Sequence, residues 1–97
     1  MNKPKMFTTR DDIQNWLISV IARSLKINPE DVDTSVAFHR YGMDSVVAVE
    51  ITGDLEKCVD QSLPPTLMYD YPTIDALSEY IAEQLDLQKD GVLAGAV

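Results

Sequence analysis

The stretch that decides the fold is Gly42-Met43-Asp44-Ser45-Val46, which continues as Val47-Ala48-Val49-Glu50-Ile51. It places a serine directly after a glycine turn, at the start of a helix whose apolar residues recur every three or four positions. The first N–H groups of a helix lack partners within it, and the helix dipole makes that end positive. A phosphate suits such a position, so Ser45 is a suitable place for a phosphodiester-linked cofactor, although capping alone is the more common role of an Asp-Ser pair.

Two other interpretations of Ser45 stay open on this pattern alone. Serine and aspartate are both favoured helix N-caps, so Asp44-Ser45 could serve capping only. A hydrolase would need a positioned base and the Gly-x-Ser-x-Gly turn, and the flanks of Ser45 do not match that turn. His39 is the only histidine in the chain, and we assign it no catalytic role.

The composition predicts one small globular domain. The chain has 97 residues, of which 45% are hydrophobic, and no apolar run long enough to cross a membrane. The single Cys58 can form neither an internal disulfide nor a zinc site, so we expect a buried or half-buried small hydrophobe. The polar, basic start of the chain lacks the apolar core of a signal peptide, which predicts a cytoplasmic protein. Met1 favours a free-standing or engineered start.

The charge is acidic and unevenly distributed. The net charge is −8, and the residues from Asp44 onward carry −9 while those before it carry +1. This balance disfavours nucleic acid and anionic membranes as partners. The acidic part is either a solvated surface or a surface that meets basic patches on partner enzymes.

Outside the central stretch, the spacing of apolar residues and the positions of prolines predict only helices. The first helix should begin near Thr8 or Thr9 and end before Pro29, with a short helical turn over 29–32. The second should run from Ser45 to about Val59, and a short third should cover 66–70. Thr73 should cap the last helix. The expected core residues are Ile13, Leu17, Val20, Ile21, Val47, Ile51, Leu55, Ile74, Leu77 and Ile81, with Val32, Val36 and Phe38 anchoring the connection between the first two helices.

The predicted fold is therefore an all-α four-helix bundle. It has three main helices, one short third helix, and a long loop between the first two helices. We expect a domain over residues 9–87, with a flexible N-terminus over 1–8 and a flexible tail over 88–97.

The second helix should present two different faces. At about 100° per residue, Val47, Ile51, Leu55 and Cys58 point to the core, while Val46, Val49, Glu50 and Gly53 cluster on the opposite side. Asp54 and Glu56 should rim that outer side with charge. We expect it to be the partner-binding face. Tyr41 and Tyr71 could form lids around the serine end of the bundle, although ordinary packing is the default.

Two segments carry a family resemblance. Residues 38–51, Phe-His-Arg-Tyr-Gly-Met-Asp-Ser and the six that follow, closely resemble the attachment-site motif of acyl carrier proteins. Residues 63–74, from Leu63-Pro64-Pro65 to Tyr71-Pro72-Thr73-Ile74, resemble the third-helix region of carriers of the polyketide synthase kind. The two motifs keep the family's order and spacing, and the resemblance extends from about Thr9 to Leu85.

This resemblance implies a carrier rather than an enzyme. Ser45 would hold 4′-phosphopantetheine, within a motif completed by Gly42, Met43 and Asp44. A phosphopantetheinyl transferase would donate the group from coenzyme A, and its thiol would carry acyl groups as thioesters. The implied partners are a ketosynthase, an acyltransferase or an acyl-adenylating ligase, which would bind the second helix. We expect the carrier to be a monomer.

Within the family, Met43 before Asp44 resembles acyl carriers more than peptidyl carriers. The runs Thr52–Glu56 and Tyr69–Ile74 look like those of carriers loaded by fatty acyl-adenylate-forming ligases, which suggests a fatty cargo in polyketide or lipopeptide biosynthesis. Carriers for β-branching typically have tryptophan at the position of Ile51, which argues against that role. The alternatives are a peptidyl carrier of a nonribosomal peptide synthetase and, in a different class, a cofactor-free helical interaction module.

Overall fold

The computed structural model describes residues 7–86, and all the regular elements in this range are helical. The helices are α1 (Arg10–Leu25), α2 (Ser45–Val59), α3 (Leu67–Asp70) and α4 (Ile74–Gln84). Two 3₁₀ turns, Pro29–Asp31 and Phe38–Tyr41, interrupt the connection between α1 and α2. The predicted bundle with one short third helix is confirmed, as is the first of the two turns; the second turn was not predicted.

Local capping explains where the long helices begin. The Thr9 side chain accepts from the Asp12 N–H while Asp12 reaches back to the Thr9 N–H, which completes a capping box at the start of α1. Thr73 caps α4 by accepting from the Ala76 N–H at 3.0 Å. Both threonines lie where the sequence predicts a cap.

The core is formed by one stripe from each long helix. Ile13, Leu17, Ile21, Leu55, Ile74 and Leu77 are fully buried, and Val20, Ile51 and Ile81 nearly so. Helices α1 and α4 make the most extensive contact of any pair. Between them, the Gln14 amide donates to Asp75 Oδ1 at 3.0 Å and to the hydroxyl of Ser78 at 3.2 Å. One side of α2 is not covered by the α1–α4 layer and is exposed.

The buried face of α2 is rotated relative to the prediction. Ile51 and Leu55 are buried as expected, but Val47 and Cys58 are only half-buried. Ala48 and Thr52 are buried instead. The buried Thr52 is possible because its hydroxyl donates to the Ala48 carbonyl at 2.8 Å, which satisfies its hydrogen-bonding capacity within the helix.

The connection between α1 and α2 is fixed against the end of the bundle. The Phe38 N–H donates to the Pro72 carbonyl at 2.8 Å, and the Asp75 N–H donates to the Thr34 carbonyl at 2.9 Å. The Phe38 and Val32 side chains are buried, as predicted, and Val36 is half-buried. These contacts orient the chain that enters α2.

The predicted ends of the domain fall largely outside the described residues. Residues 1–6 and 87–97, which include most of the predicted flexible N-terminus and the whole predicted tail, are not described. Phe7 and Thr8 do contact α1: the Phe7 ring meets Trp16 edge-on at 6.1 Å, and the Thr8 hydroxyl donates to Asp12 at 2.7 Å. Over residues 7–86, no helix has the length and apolar character needed to cross a bilayer.

Candidate functional site

Ser45 is the first residue of α2 and is exposed to solvent. The chain reaches it through Gly42, which ends the second 3₁₀ turn with a φ of 82° and donates its N–H to the His39 carbonyl at 3.1 Å. A positive φ of this size is a conformation that glycine adopts at little steric cost. Gly42 therefore reverses the chain so that Met43 and Asp44 can lead into the helix.

Asp44, rather than Ser45, caps α2. The Asp44 carboxylate accepts from the Val47 N–H at 3.0 Å, and its carbonyl accepts the first helical bond from Ala48 at 3.0 Å. Among residues 7–86, the Ser45 hydroxyl makes no hydrogen bond, while the N–H groups of Ser45 and Val46 precede the first helical bond. The Ser45 hydroxyl is therefore exposed and not engaged by any described residue, and two unused N–H donors lie beside it.

The surroundings of Ser45 do not activate its hydroxyl. Within the described part of the chain, neither His39 nor Asp44 hydrogen-bonds to Ser45, and no group of three or more histidine, cysteine or acidic side chains could hold a metal ion. The Asp75 carboxylate accepts from the Gln14 amide.

A small cleft of about 180 Å³ opens beside Ser45, where the second 3₁₀ turn, the start of α2 and α3 converge. Its lining residues are Phe38, His39, Met43, Asp44, Ala48, Met68, Tyr69 and Pro72. Phe38, Ala48 and Met68 are buried and form an apolar floor, whereas Tyr69 is 61% exposed at the rim. Sequence reasoning missed Met68 and Tyr69, because a four-residue helix is too short for its pattern to reveal which side is buried.

The predicted partner face is brought together on the uncovered side of α2. Val46 is 64% exposed and Val49 is 47% exposed, which is unusual for side chains of this size in this structure. Glu50 and Asp54 are exposed on the same side and line an open groove together with Gly53. A Cβ atom added to Gly53 would meet nothing within 4 Å, so this part of the surface is open. Val46 and Val49 thus form an exposed apolar pair close to Ser45, next to the acidic side chains of Glu50 and Asp54.

Glu56 lines the same groove as Glu50 and Asp54, and it also makes a contact within the fold. Its carboxylate accepts from the Leu63 N–H at 2.7 Å and so holds the turn that leads from α2 towards α3. The charge that Glu56 contributes to this rim therefore stays a prediction, and the bond to Leu63 fixes the position of its carboxylate.

The two tyrosines considered as lids have other contacts. The Tyr41 hydroxyl accepts from the Asp33 N–H and donates to the Asp33 carbonyl. The Tyr71 ring stacks on Tyr80, with ring centroids 4.3 Å apart. Neither tyrosine lines the cleft beside Ser45.

Cys58 is separate from this site. Burial raises the pKa of the Cys58 thiol, and the charge of Asp54 raises it further. A raised pKa disfavours the reactive thiolate, which agrees with the expected role as a small half-buried hydrophobe.

Comparison with known proteins gives consistent results. Residues 15–81 match the family described as "Phosphopantetheine attachment site". The chain is 37% identical to a free-standing peptidyl carrier protein from an Acinetobacter baumannii secondary metabolic pathway, covering 81% of this chain and 99% of that one with a TM-score of 0.78. It is 30% identical to the HMG-ACPI domain of the CurA module from Lyngbya majuscula, covering 88% and 86% with a TM-score of 0.74.

A polyketide synthase shows the same similarity within a much longer protein. Over 84 residues the chain is 33% identical to polyketide synthase PksN of Bacillus subtilis, which is 87% of this chain but only 2% of the synthase. The matched range 15–81 includes the Gly42–Val46 turn, all of α2 and α3, and most of α4. The chain therefore belongs to the phosphopantetheine attachment site family, the acyl and peptidyl carrier domains that hold their intermediates on covalently bound 4′-phosphopantetheine.

Proposed function

We propose that Ser45 carries the 4′-phosphopantetheine group and that the chain acts as an acyl carrier in polyketide or related fatty-acyl biosynthesis. The observation that carries this proposal is the free, exposed Ser45 hydroxyl at the start of α2, where Asp44 has taken over the capping role. A phosphate on Ser45 would lie near the unused N–H groups of Ser45 and Val46 and the positive end of the helix dipole.

The chemistry belongs to the cofactor and to other proteins. Carrier domains of this family are generally non-catalytic, and we infer that this chain is a substrate rather than an enzyme. Since no described residue activates Ser45, a phosphopantetheinyl transferase must supply the base when it moves the group from coenzyme A. The bound group supplies a thiol for thioesters, and the carrier raises the effective concentration of its cargo at partner enzymes.

The partner face that we propose comprises Val46, Val49, Glu50, Gly53 and Asp54. Carrier domains of polyketide synthases work with synthase enzymes, and we infer that a ketosynthase, an acyltransferase or an acyl-adenylating ligase binds here. The exposed apolar pair supports contact with an apolar patch, and the adjacent acids support contact with basic side chains. Tyr69, at the rim of the cleft, extends this face onto α3.

We favour an acyl cargo over a peptidyl one. The similar proteins include both a peptidyl carrier and domains of polyketide synthases, so similarity alone does not decide between them. Met43 before Asp44 supports the acyl assignment, and the Thr52–Glu56 and Tyr69–Ile74 runs support loading by a fatty acyl-adenylating ligase. We further infer that the protein acts in the cytoplasm as a monomer.

The test is enzymatic modification of the purified chain. Incubation with a broad-specificity phosphopantetheinyl transferase and coenzyme A should add the mass of one phosphopantetheinyl group, whereas a cofactor-free interaction module would gain none. The modified chain should then accept a fatty acid from an acyl-adenylating ligase. Loading of amino acids alone, by an amino-acid-adenylating enzyme, would support the peptidyl alternative instead.

A further inference from the structure

One side chain links the two ends of residues 33–41, the segment that leads to Ser45. The Tyr41 hydroxyl binds both backbone groups of Asp33, accepting from its N–H and donating to its carbonyl, the latter at 2.7 Å. These two bonds link the end of the second 3₁₀ turn to a residue eight positions earlier. The half-buried Tyr41 ring packs against the core cluster, which fixes the direction from which the hydroxyl approaches.

The other attachments of this segment act further from Ser45. The Thr34 carbonyl accepts a hydrogen bond from the start of α4. The Phe38 N–H donates to the Pro72 carbonyl, so both bonds hold the middle of the segment. Tyr41 lies after both points, and the next fixed point is the Asp44 cap of α2. The Tyr41 hydroxyl therefore makes the last side-chain hydrogen bond before the turn, in which Gly42 is exposed and Met43 is half-buried against the core.

We propose that Tyr41 is a positioning residue for transfer of the phosphopantetheinyl group to Ser45, an inference that rests on the function proposed for Ser45. The turn through Gly42 and Met43 leads directly to Ser45, and Met43 lines the adjacent cleft. A transferase that reaches Ser45 must contact this turn. Because Tyr41 already holds the turn in one conformation, the turn loses less conformational entropy when the transferase binds.

Loss of the hydroxyl should act on binding rather than on the fold. Asp33 is exposed, so water can satisfy its N–H and carbonyl when the phenol oxygen is absent. The turn would then occupy its binding-competent arrangement for only part of the time, and the apparent affinity for the transferase would fall by that fraction. The chemical step at Ser45 would be unchanged once the complex has formed.

The experiment compares Tyr41→Phe with wild type in transferase kinetics, with the carrier as the varied substrate. We expect KM to rise about three- to tenfold, the size of one or two lost hydrogen bonds, while kcat stays within about twofold. Hydrogen exchange at the Asp33 amide should become faster. Tyr80→Phe is the matched control, because it removes a hydroxyl that has no hydrogen bond among residues 7–86 and lies outside the cleft.

Three results would overturn the proposal. An unchanged KM in Tyr41→Phe, with wild type fully modified, would remove the role of Tyr41 and leave the function of Ser45 intact. A fall in kcat together with a lower melting temperature than that of Tyr80→Phe would show a merely structural role. Wild type that is never modified would overturn the proposed function and this inference with it.

Discussion

Single carboxylates hold two turns of the chain, and their ionisation couples the fold to pH. Asp12 accepts from the hydroxyl and N–H of Thr8, at 2.7 and 2.8 Å, and from the Thr9 N–H. Asp33 accepts from the hydroxyl and N–H of Ser35, at 2.7 and 2.9 Å. The bonds from Thr8 lower the pKa of Asp12, and those from Ser35 lower the pKa of Asp33.

These shifts predict a loss of stability in acid. Because the folded pKa lies below the unfolded value of about 3.9, the stabilisation is complete above that value and disappears as the pH falls through the folded pKa. Urea unfolding between neutral pH and about pH 3 should show this loss in wild type and a smaller loss in Asp12→Asn. Asp11→Asn removes the same charge from the same helical turn without touching these bonds. Identical acid sensitivity in wild type and Asp12→Asn would contradict this prediction.

Cys58 should react slowly with alkylating reagents at neutral pH. Burial and the charge of Asp54 raise the pKa of its thiol, so little thiolate is present. A phosphopantetheine group on the exposed Ser45 would add a second thiol, which we expect to react faster than Cys58. Mass spectrometry after brief alkylation should therefore find the unmodified chain mostly unlabelled and the cofactor-bearing chain singly labelled. Labelling of Cys58 as fast as that of a free cysteine would contradict the assigned burial.

At the scale of the helix, α2 combines a core face with an exposed face, and substitutions on the two should differ sharply. Ile51 is 1% exposed, so Ile51→Ala should lower the free energy of unfolding by roughly 2–5 kcal/mol. Val46 is on the outer side, and Val46→Ala should change that free energy by no more than about 0.5 kcal/mol. Urea unfolding measures both. A similar loss in the two variants would mean that the orientation of α2 is wrong.

The outer face of α2 should govern partner recognition without supporting the fold. We expect Val49→Asp and Glu50→Lys to slow cofactor transfer or acyl loading while the melting temperature stays near that of wild type. The Glu50→Lys effect should shrink at high salt, because exposed charge contacts are screened. Glu83→Lys on α4 makes the same charge change on an exposed side chain elsewhere and is the control. Unchanged rates in both α2 variants would contradict this prediction and assign recognition to the 37–43 segment instead.

The helices were predictable where local chemistry determines them. Thr9, Asp44 and Thr73 are caps whose side chains bond three residues ahead, and apolar spacing identified the core stripes. The turn Phe38–Tyr41 was not predictable, because a four-residue turn has no readable period and is held by a distant bond to Pro72. The burial of Thr52 was missed for a similar reason, since its satisfied hydroxyl becomes visible only in the folded helix.

For the whole molecule, packing determines which acidic side chains are hydrogen-bonded within the fold and which stay exposed. The sequence shows that all the net negative charge follows Asp44, but it does not show which carboxylates are engaged. In the fold, Glu56 is bound to the Leu63 N–H and Asp75 to Gln14, whereas Glu50 and Asp54 stay exposed beside Val46 and Val49. The motif was sufficient to propose a role for Ser45, while the cleft beside it required the convergence of three elements.

The most direct test of the central claim is the mass of the Ser45→Ala chain after incubation with transferase and coenzyme A. Because Asp44 supplies the cap, Ser45→Ala should stay folded, with a change in unfolding free energy of about 1 kcal/mol or less. Wild type and the control Ser19→Ala, which changes an exposed serine on α1, should each gain one phosphopantetheinyl group, and Ser45→Ala should gain none. A folded Ser45→Ala chain that is still modified, or a wild type that never is, would contradict the account.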